Sequence, residues 1–446
     1  MSKKLSGIKL GLCGESLTSH GGYLLFGELW ERLCVSELLD RELPQPGSGR
    51  GFRPSHIVRS IVSLLACGGE HLSDISRISS DSLLAMIGDA SRLPASNTLT
   101  EWLGRCERWV EHEWGGQDEN VLLQGLERVN RKLLGVLVRH VNKKELTLDI
   151  DATVVGTEKR GARATYLGGR GYQPQLGHLA ELRSFLVSNL RNGDVPSSKD
   201  VLPYLEACKA NMPEGAHIGL LRADAAYYQR DVLKWCVENG SDFLIRAGRD
   251  LATIRAIREI PDTAWERYVD SDGFEHSDAE VASTYHSMEG VGWFRLVVLR
   301  RRRNRGQYDL FWGQHMYYPV ATSLACSAQE VIRLYNQRGR MEDAIGQMKC
   351  DFGLSAMPCS DIKANAVWVA IGILAFTLFT IFKSLVLGAD WVFRKAKAVR
   401  FHIFDIPGRL VRHAGELVLN LGCARPLFDF LCEARRRCRR LVFGFA

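Results

Sequence analysis

Apolar residues recur at helical spacing through the first third of the chain. Residues 23–39 (YLLFGELWERLCVSELL) carry them on one stripe, and so does the segment that starts at Pro54 and ends at Gly68-Gly69. Residues 72–87 and 96–109 predict further short helices, the second opened by the capping run Ser96-Asn97-Thr98. The intervening 43–54, rich in Pro, Gly and Arg, predicts a loop. Residues 1–140 are thus expected to be helical, with the tight breaks of a helix-turn-helix-like bundle. Most small helical bundles bind no DNA, so the pattern alone assigns no partner.

At Glu145 the period drops to two. ELTLDIDATVV alternates as a strand does and puts Asp149 and Asp151 on one face. Strand character returns over 165–172, where Gly168, Gly169 and Gly171 mark a turn, and over 183–190 (RSFLVSNL), before the hairpin-like turn signal Arg191-Asn192-Gly193. A helix over 200–209, a strand over 217–223 ending at Asp224, a helix over 227–238 and a strand over 242–246 follow. Residues 281–298 and 308–322 alternate with little helix between them, so about 250–325 reads as a β-rich insertion. Within it Arg300, Arg301, Arg302, Arg303 and Arg305 form a basic run expected in a turn, flanked at strand positions by Trp293 and Trp312. Cations beside aromatics suit a DNA backbone with a stacked, unpaired base; an exposed hairpin tip over buried tryptophans accounts for them equally.

One apolar stretch is near spanning length: 364–382 carries no charge. Asn365, Trp368, Gly372, Thr377 and Thr380 dilute it and no second such run exists, so a buried central helix is expected, with a membrane anchor as the alternative. Beyond it the chain turns helical again and ends in RRRCRR.

Composition changes the picture in one place. The net charge of +7 is concentrated at the end: from Lys383 onward there are 13 Lys/Arg and 5 Asp/Glu, an excess of 8. Such a tail is an electrostatic footprint for a polyanion, or a solubility device. Twelve cysteines are scattered without a CxxC pair or a zinc spacing, as expected of a reduced cytoplasmic protein, and no signal peptide is apparent. Three regions result: helical 1–140, α/β 141–385 and helical, basic 386–446.

The helix predicted over residues 335–349 (YNQRGRMEDAIGQMK) carries the chemistry. At 100° per residue Tyr335, Arg338, Glu342 and Lys349 fall within about 60° of one another, while Met341, Ala344, Ile345 and Met348 form a separate apolar stripe. A solvated face with i,i+4 ion pairs would look similar. The spacing, however, resembles the Y-R-E-K signature of bacterial insertion-sequence transposases of the DDE class, with no position substituted. Asp151, followed by Ala152-Thr153, and Asp224, followed by Ala225-Ala226-Tyr227, resemble that family's two strand aspartates; Asp149 is the rival for the first. Gly171-Tyr172-Gln173-Pro174 resembles a motif of one branch.

The resemblance implies an α/β fold: an RNase H-like mixed-sheet catalytic core with a β-rich insertion, between an N-terminal helical domain and a C-terminal helical basic region. It implies Asp151, Asp224 and Glu342 as catalytic and metal-binding acids. Carboxylates suit hard Mg²⁺, with Mn²⁺ as the alternative. Tyr335, Arg338 and Lys349 would hold DNA phosphates, together with Arg301, Arg302 and Arg303, and Trp293 or Trp312 would stack on a flipped base. The implied partners are double-stranded DNA, as transposon ends and target, and a second copy of the chain; no small-molecule substrate and no membrane are implied. The rival reading is a catalytically inactive, transposase-derived DNA-binding protein.

Overall fold

The period-two stretch at Glu145 forms β1 (Glu145–Ala152), the strand on which a nine-stranded mixed sheet is built. The computed structural model describes residues 11–47, 49, 51–87, 93–112, 115–303 and 314–441. β2 (Gln175–Leu179) and β3 (Ser184–Asn189) extend the sheet antiparallel on one side of β1. On the other side β4 (His217–Ala223) and β5 (Asp242–Arg246) run parallel to it. After β3 comes α2 (Val201–Ala210), and between β4 and β5 α3 (Arg230–Glu238) makes the crossover that two parallel strands require. The insertion continues the same sheet as β6 (Glu266–Val269), β7 (Glu275–Met288), β8 (Gly292–Arg302) and β9 (His315–Thr322), with β9 antiparallel to β5. The order is β6-β7-β8-β9-β5-β4-β1-β2-β3.

Several expectations are corrected. The second core strand is Gln175–Leu179; residues 165–172 contribute instead to a separate three-stranded sheet of Val155–Gly156, Arg163–Ala164 and Arg170–Tyr172. Arg191-Asn192-Gly193 closes no hairpin: Asn192 bridges to Tyr172, and Gly193 N–H donates to Gly171, so the chain leaves β3 across that small sheet. The helical N-terminal region contains a β-hairpin, Glu107–His112 with Gly115–Asn120, where the helix expected over 96–109 stops at Leu103. The helix expected over 23–39 breaks at Cys34, which adopts φ 48°. The C-terminal region is not all helical either: Gly408–His413 and Glu416–Leu421 form a hairpin. Its turn, Ala414-Gly415, has both φ positive, the type I′ geometry, and alanine is an unusual residue to announce it.

The uncharged run forms α6 (Ile362–Ile381), packed against β3, against α1 (Val121–Val141) and against the helix Pro54–Ala66. The most apolar 18-residue window within Ile362–Leu387 has a mean hydropathy of 2.2, and 89% of that window is buried inside the protein. Its polar members are satisfied there: Asn365 exchanges hydrogen bonds with the Cys359 backbone, and Thr377 joins Ser184 and Asn130. This uniformly apolar helix is therefore spent on the interior of the fold.

Candidate active site

Register brings the two aspartates to one end of the sheet. Ala223 of β4 lies opposite Ile150 of β1, so the following residues, Asp224 and Asp151, emerge side by side at the carboxyl ends of adjacent parallel strands. Burial pushes the Asp151 carboxyl above the usual range and the charge of Asp224 adds to the push, while Arg338 opposes it. Asp224 also caps the short turn Ala225–Tyr227, with Oδ1 accepting from the Ala226 N–H at 3.0 Å. The cap role and the candidate site role are therefore compatible in one residue. Tyr227 is buried beneath it, its hydroxyl 3.3 Å from Nε2 of Gln175.

Asp149 is a different object. It is fully buried, and Arg222, its cross-strand partner on β4, grips both oxygens at 2.5 and 2.8 Å. Burial works against its charge, but the two hydrogen bonds from Arg222, with the His178 ring 3.9 Å away adding to their pull, hold its carboxyl below the usual range. Placement distinguishes the two: Asp149 is engaged in the interior, and Asp151 is at the strand end.

The helix expected over 335–349 is two helices, α4 (Ala328–Asn336) and α5 (Gly339–Asp351). Between them Arg338 N–H donates to Tyr335 and Met341 N–H to Arg338, an i→i−3 pattern that tightens the turn. Arg222 braces the junction, donating from Nη1 to the Leu334 carbonyl at 2.5 Å. Arg338 is buried at the break and bridges two acids, Asp151 Oδ2 at 2.8 Å and Glu342 Oε1 at 3.2 Å. Glu342 itself is 66% exposed in the first turn of α5. Met341, Ala344, Ile345 and Met348 are buried as the apolar stripe requires.

Two acids therefore adjoin, and the third is joined to them through Arg338. Among the described residues no three acidic, histidine or cysteine side chains are close enough to hold a metal ion. The donor set, carboxylate oxygen only, fits a hard divalent cation.

Lys349 donates from Nζ to the Val154 carbonyl at 3.1 Å, tying α5 to the chain just after Asp151. Tyr335 borders a cavity of about 290 Å³ with Arg246, Arg301, Tyr318 and Asn336, in which Arg246 lies 4.7 Å from the Tyr318 ring centroid. Burial raises the Tyr335 hydroxyl pKa, against the pull of Arg338 and Arg246. The basic run is not a turn: Arg300, Arg301 and Arg302 lie on β8, Arg300 against Trp265 and Glu280, and Arg303 follows with its N–H on Gln314. Register lines up Asp149, Arg222, Leu244, Thr322 and Arg295 across five strands. Asp151 and Arg301 lie to one side of that line and Trp293 to the other. Trp293, 76% exposed, is therefore about 13 Å from Asp151 along the strands and four strand spacings away; Arg301 is offset as far in the other direction, so strand register alone brings neither to Asp151, and Arg301 is placed by its cavity with Tyr335. Trp312 and Arg305 lie outside the described residues. Two residues were missed by sequence reasoning, Arg222 and Arg246. Arg222 left one signal, a charge inside the apolar run HIGLLRA, and strand pairing alone could interpret it.

Fold and site define an α/β protein with two acidic residues at the carboxyl ends of adjacent parallel strands. The chain belongs to the family described as transposase DDE domain group 1, whose pattern matches residues 2–443. It is also similar to a piggyBac transposase solved by cryo-electron microscopy as a synaptic complex with hairpin DNA, at 11% identity and a TM-score of 0.42, covering 95% of this chain and 86% of that one. None of the curated proteins compared with it is a match.

Proposed function

We propose that this transposase binds the terminal inverted repeats of an insertion sequence as a dimer, cuts the DNA at the element's ends and joins them to a target by a cut-and-paste route with a hairpin intermediate. The supporting observation is the adjacency of Asp151 and Asp224 at the ends of adjacent parallel strands, with Arg338 joining Asp151 to Glu342. Asp151, Asp224 and Glu342 would hold Mg²⁺ or Mn²⁺, which when bound activates the attacking oxygen and stabilises the leaving one. The chain's own residues do the rest. Arg338 neutralises the acids before DNA arrives and is placed to hold a phosphate beside them. Tyr335 and Arg301 line the neighbouring wall, where a strand leaving the site would pass. Lys349 fixes the backbone behind Asp151 and offers a second cation.

The test is a supercoiled-plasmid excision assay with Asp151→Asn, Asp224→Asn and Glu342→Gln. Each is expected to retain end binding and to lose cleavage by at least about a thousandfold, the scale of losing a metal-holding group. A variant that still cuts removes that residue from the site.

A further inference from the structure

The small sheet that follows Asp151 ends in an unusual tip. Its turn presents Tyr166 and Leu167, 74% and 69% exposed, side by side. The tip is rigidly made. Gly168 and Gly169 adopt φ 88° and 74°, Thr165 N–H donates to Gly169, Gly168 N–H donates to Thr165, and the Thr165 hydroxyl donates to the Gly168 carbonyl at 2.9 Å. Its base is fixed too. Tyr172 is fully buried, Gly171 packs so closely on Val155 that a Cβ would lie 2.3 Å from its carbonyl oxygen, and Lys159 donates to the Pro358 carbonyl just beyond α5. Two large apolar side chains are thus held out in water by a well-braced support. The surrounding charge names the partner: residues 153–172 hold Lys159, Arg160, Arg163 and Arg170 against one acid, Glu158, and the three arginines are exposed.

We propose that Tyr166 and Leu167 are a wedge that enters duplex DNA beside the cleavage point and unstacks a base step, while Arg160, Arg163 and Arg170 hold the flanking phosphates. This deepens the transposase reading and rests on it. Apolar side chains between base steps kink and open a duplex, and exposed cations hold it while they do so. The tip grows from the strand end that carries Asp151 and lies within about eight strand residues of it, roughly 26 Å, so an opened step falls in the DNA flanking the acids.

The probe is a synthetic duplex spanning the junction between the inverted repeat bordering the reading frame and its flank, with 2-aminopurine at single positions, bound to the full chain in Ca²⁺. The intact protein is expected to raise the fluorescence at one or two adjacent positions. A Tyr166→Ala/Leu167→Ala variant, with an unchanged melting temperature, should give no rise and bind the paired duplex at least about tenfold more weakly, because nothing then offsets the cost of unstacking the step. It should regain normal affinity on a duplex mismatched at that step, because the opening is then already made. Arg163→Gln or Arg170→Gln should reduce the salt dependence of binding by about one ion each. The wedge is overturned if the intact protein binds without any rise, if the variant raises the signal equally, or if its weakness persists on the mismatched duplex. Failure of the intact protein to bind any duplex would instead overturn the transposase reading.

Discussion

Asp149 and Asp151 are two residues apart on one strand, identical in chemistry, and opposite in fate. One is matched in register with Arg222 and fully enclosed; the other, a single step nearer the strand end, faces Asp224 and Arg338. Asp149→Asn would leave the Arg222 guanidinium buried beside a neutral amide. A loss of about 3–5 kcal/mol is expected in denaturant unfolding, the usual cost of orphaning a buried charge. Glu127 makes a separate prediction. Burial in a cleft beside Asn130, Leu186 and Ala370 raises its carboxyl to about 7. A raised pKa gives stability that is complete below the unfolded value near 4.5 and is lost as pH rises through about 7. Glu127→Gln should therefore match the parent at pH 4 and exceed it at pH 8, by on the order of 1–3 kcal/mol, when melting is followed against pH.

At the scale of elements the informative feature is the break between α4 and α5. An unbroken helix would place Arg338 on the same open face as Glu342. The tightened turn, pinned by Arg222 on the Leu334 carbonyl, instead buries it against Asp151. Two glycines test how α5 and α6 are seated. A Cβ at Gly372 of α6 would lie 2.4 Å from the Phe352 carbonyl oxygen at the end of α5, so Gly372→Ala should destabilise by about 1–3 kcal/mol. A Cβ at Gly346, within α5, would meet nothing within 4 Å, so Gly346→Ala should stabilise by about 0.5–1 kcal/mol through helix propensity. Thermal unfolding of the pair separates the two signs.

For the whole molecule, the three regions suggested by composition are not three bodies. One apolar core runs from Tyr23 through the sheet and α6 to Cys438. Leu17–Thr18 pairs with the C-terminal strand Gly408–His413, and Arg435 and Arg439 both reach Glu28. Arg400 bonds the backbone of Leu65 and Ala66 as well as Asp351. Unfolding should accordingly be one cooperative transition seen identically by tryptophan fluorescence and circular dichroism. Ending the chain at residue 424 deletes the helix Arg425–Arg440 with its buried Leu431, Ala434 and Cys438. That truncation should lower the melting temperature by several degrees as well as weaken DNA binding, a loss of roughly 2–5 kcal/mol for apolar side chains of this size. A detachable basic tail would lose binding alone.

Sequence by itself determined what is local. Period two placed the start of β1 at Glu145, although the expected strand ran three residues past its end at Ala152; 217–223 and 242–246 matched β4 and β5, because strands enclosed on both faces are continuously apolar, and the apolar stripe of α5 was legible from its helical spacing. Asp151, Asp224 and Glu342 were singled out through their neighbours and spacing, and pairing put the first two at the ends of adjacent strands. The tertiary structure decided what depends on pairing between distant segments. Register separated Asp149 from Asp151 and put Trp293 at the far end of the sheet from the acids, and a contact between strand and helix turned one expected helix into two. Residues 165–172 were drawn out of the main sheet for a related reason: a strand's partner is chosen by hydrogen bonds to chain far away, which periodicity along one segment cannot register.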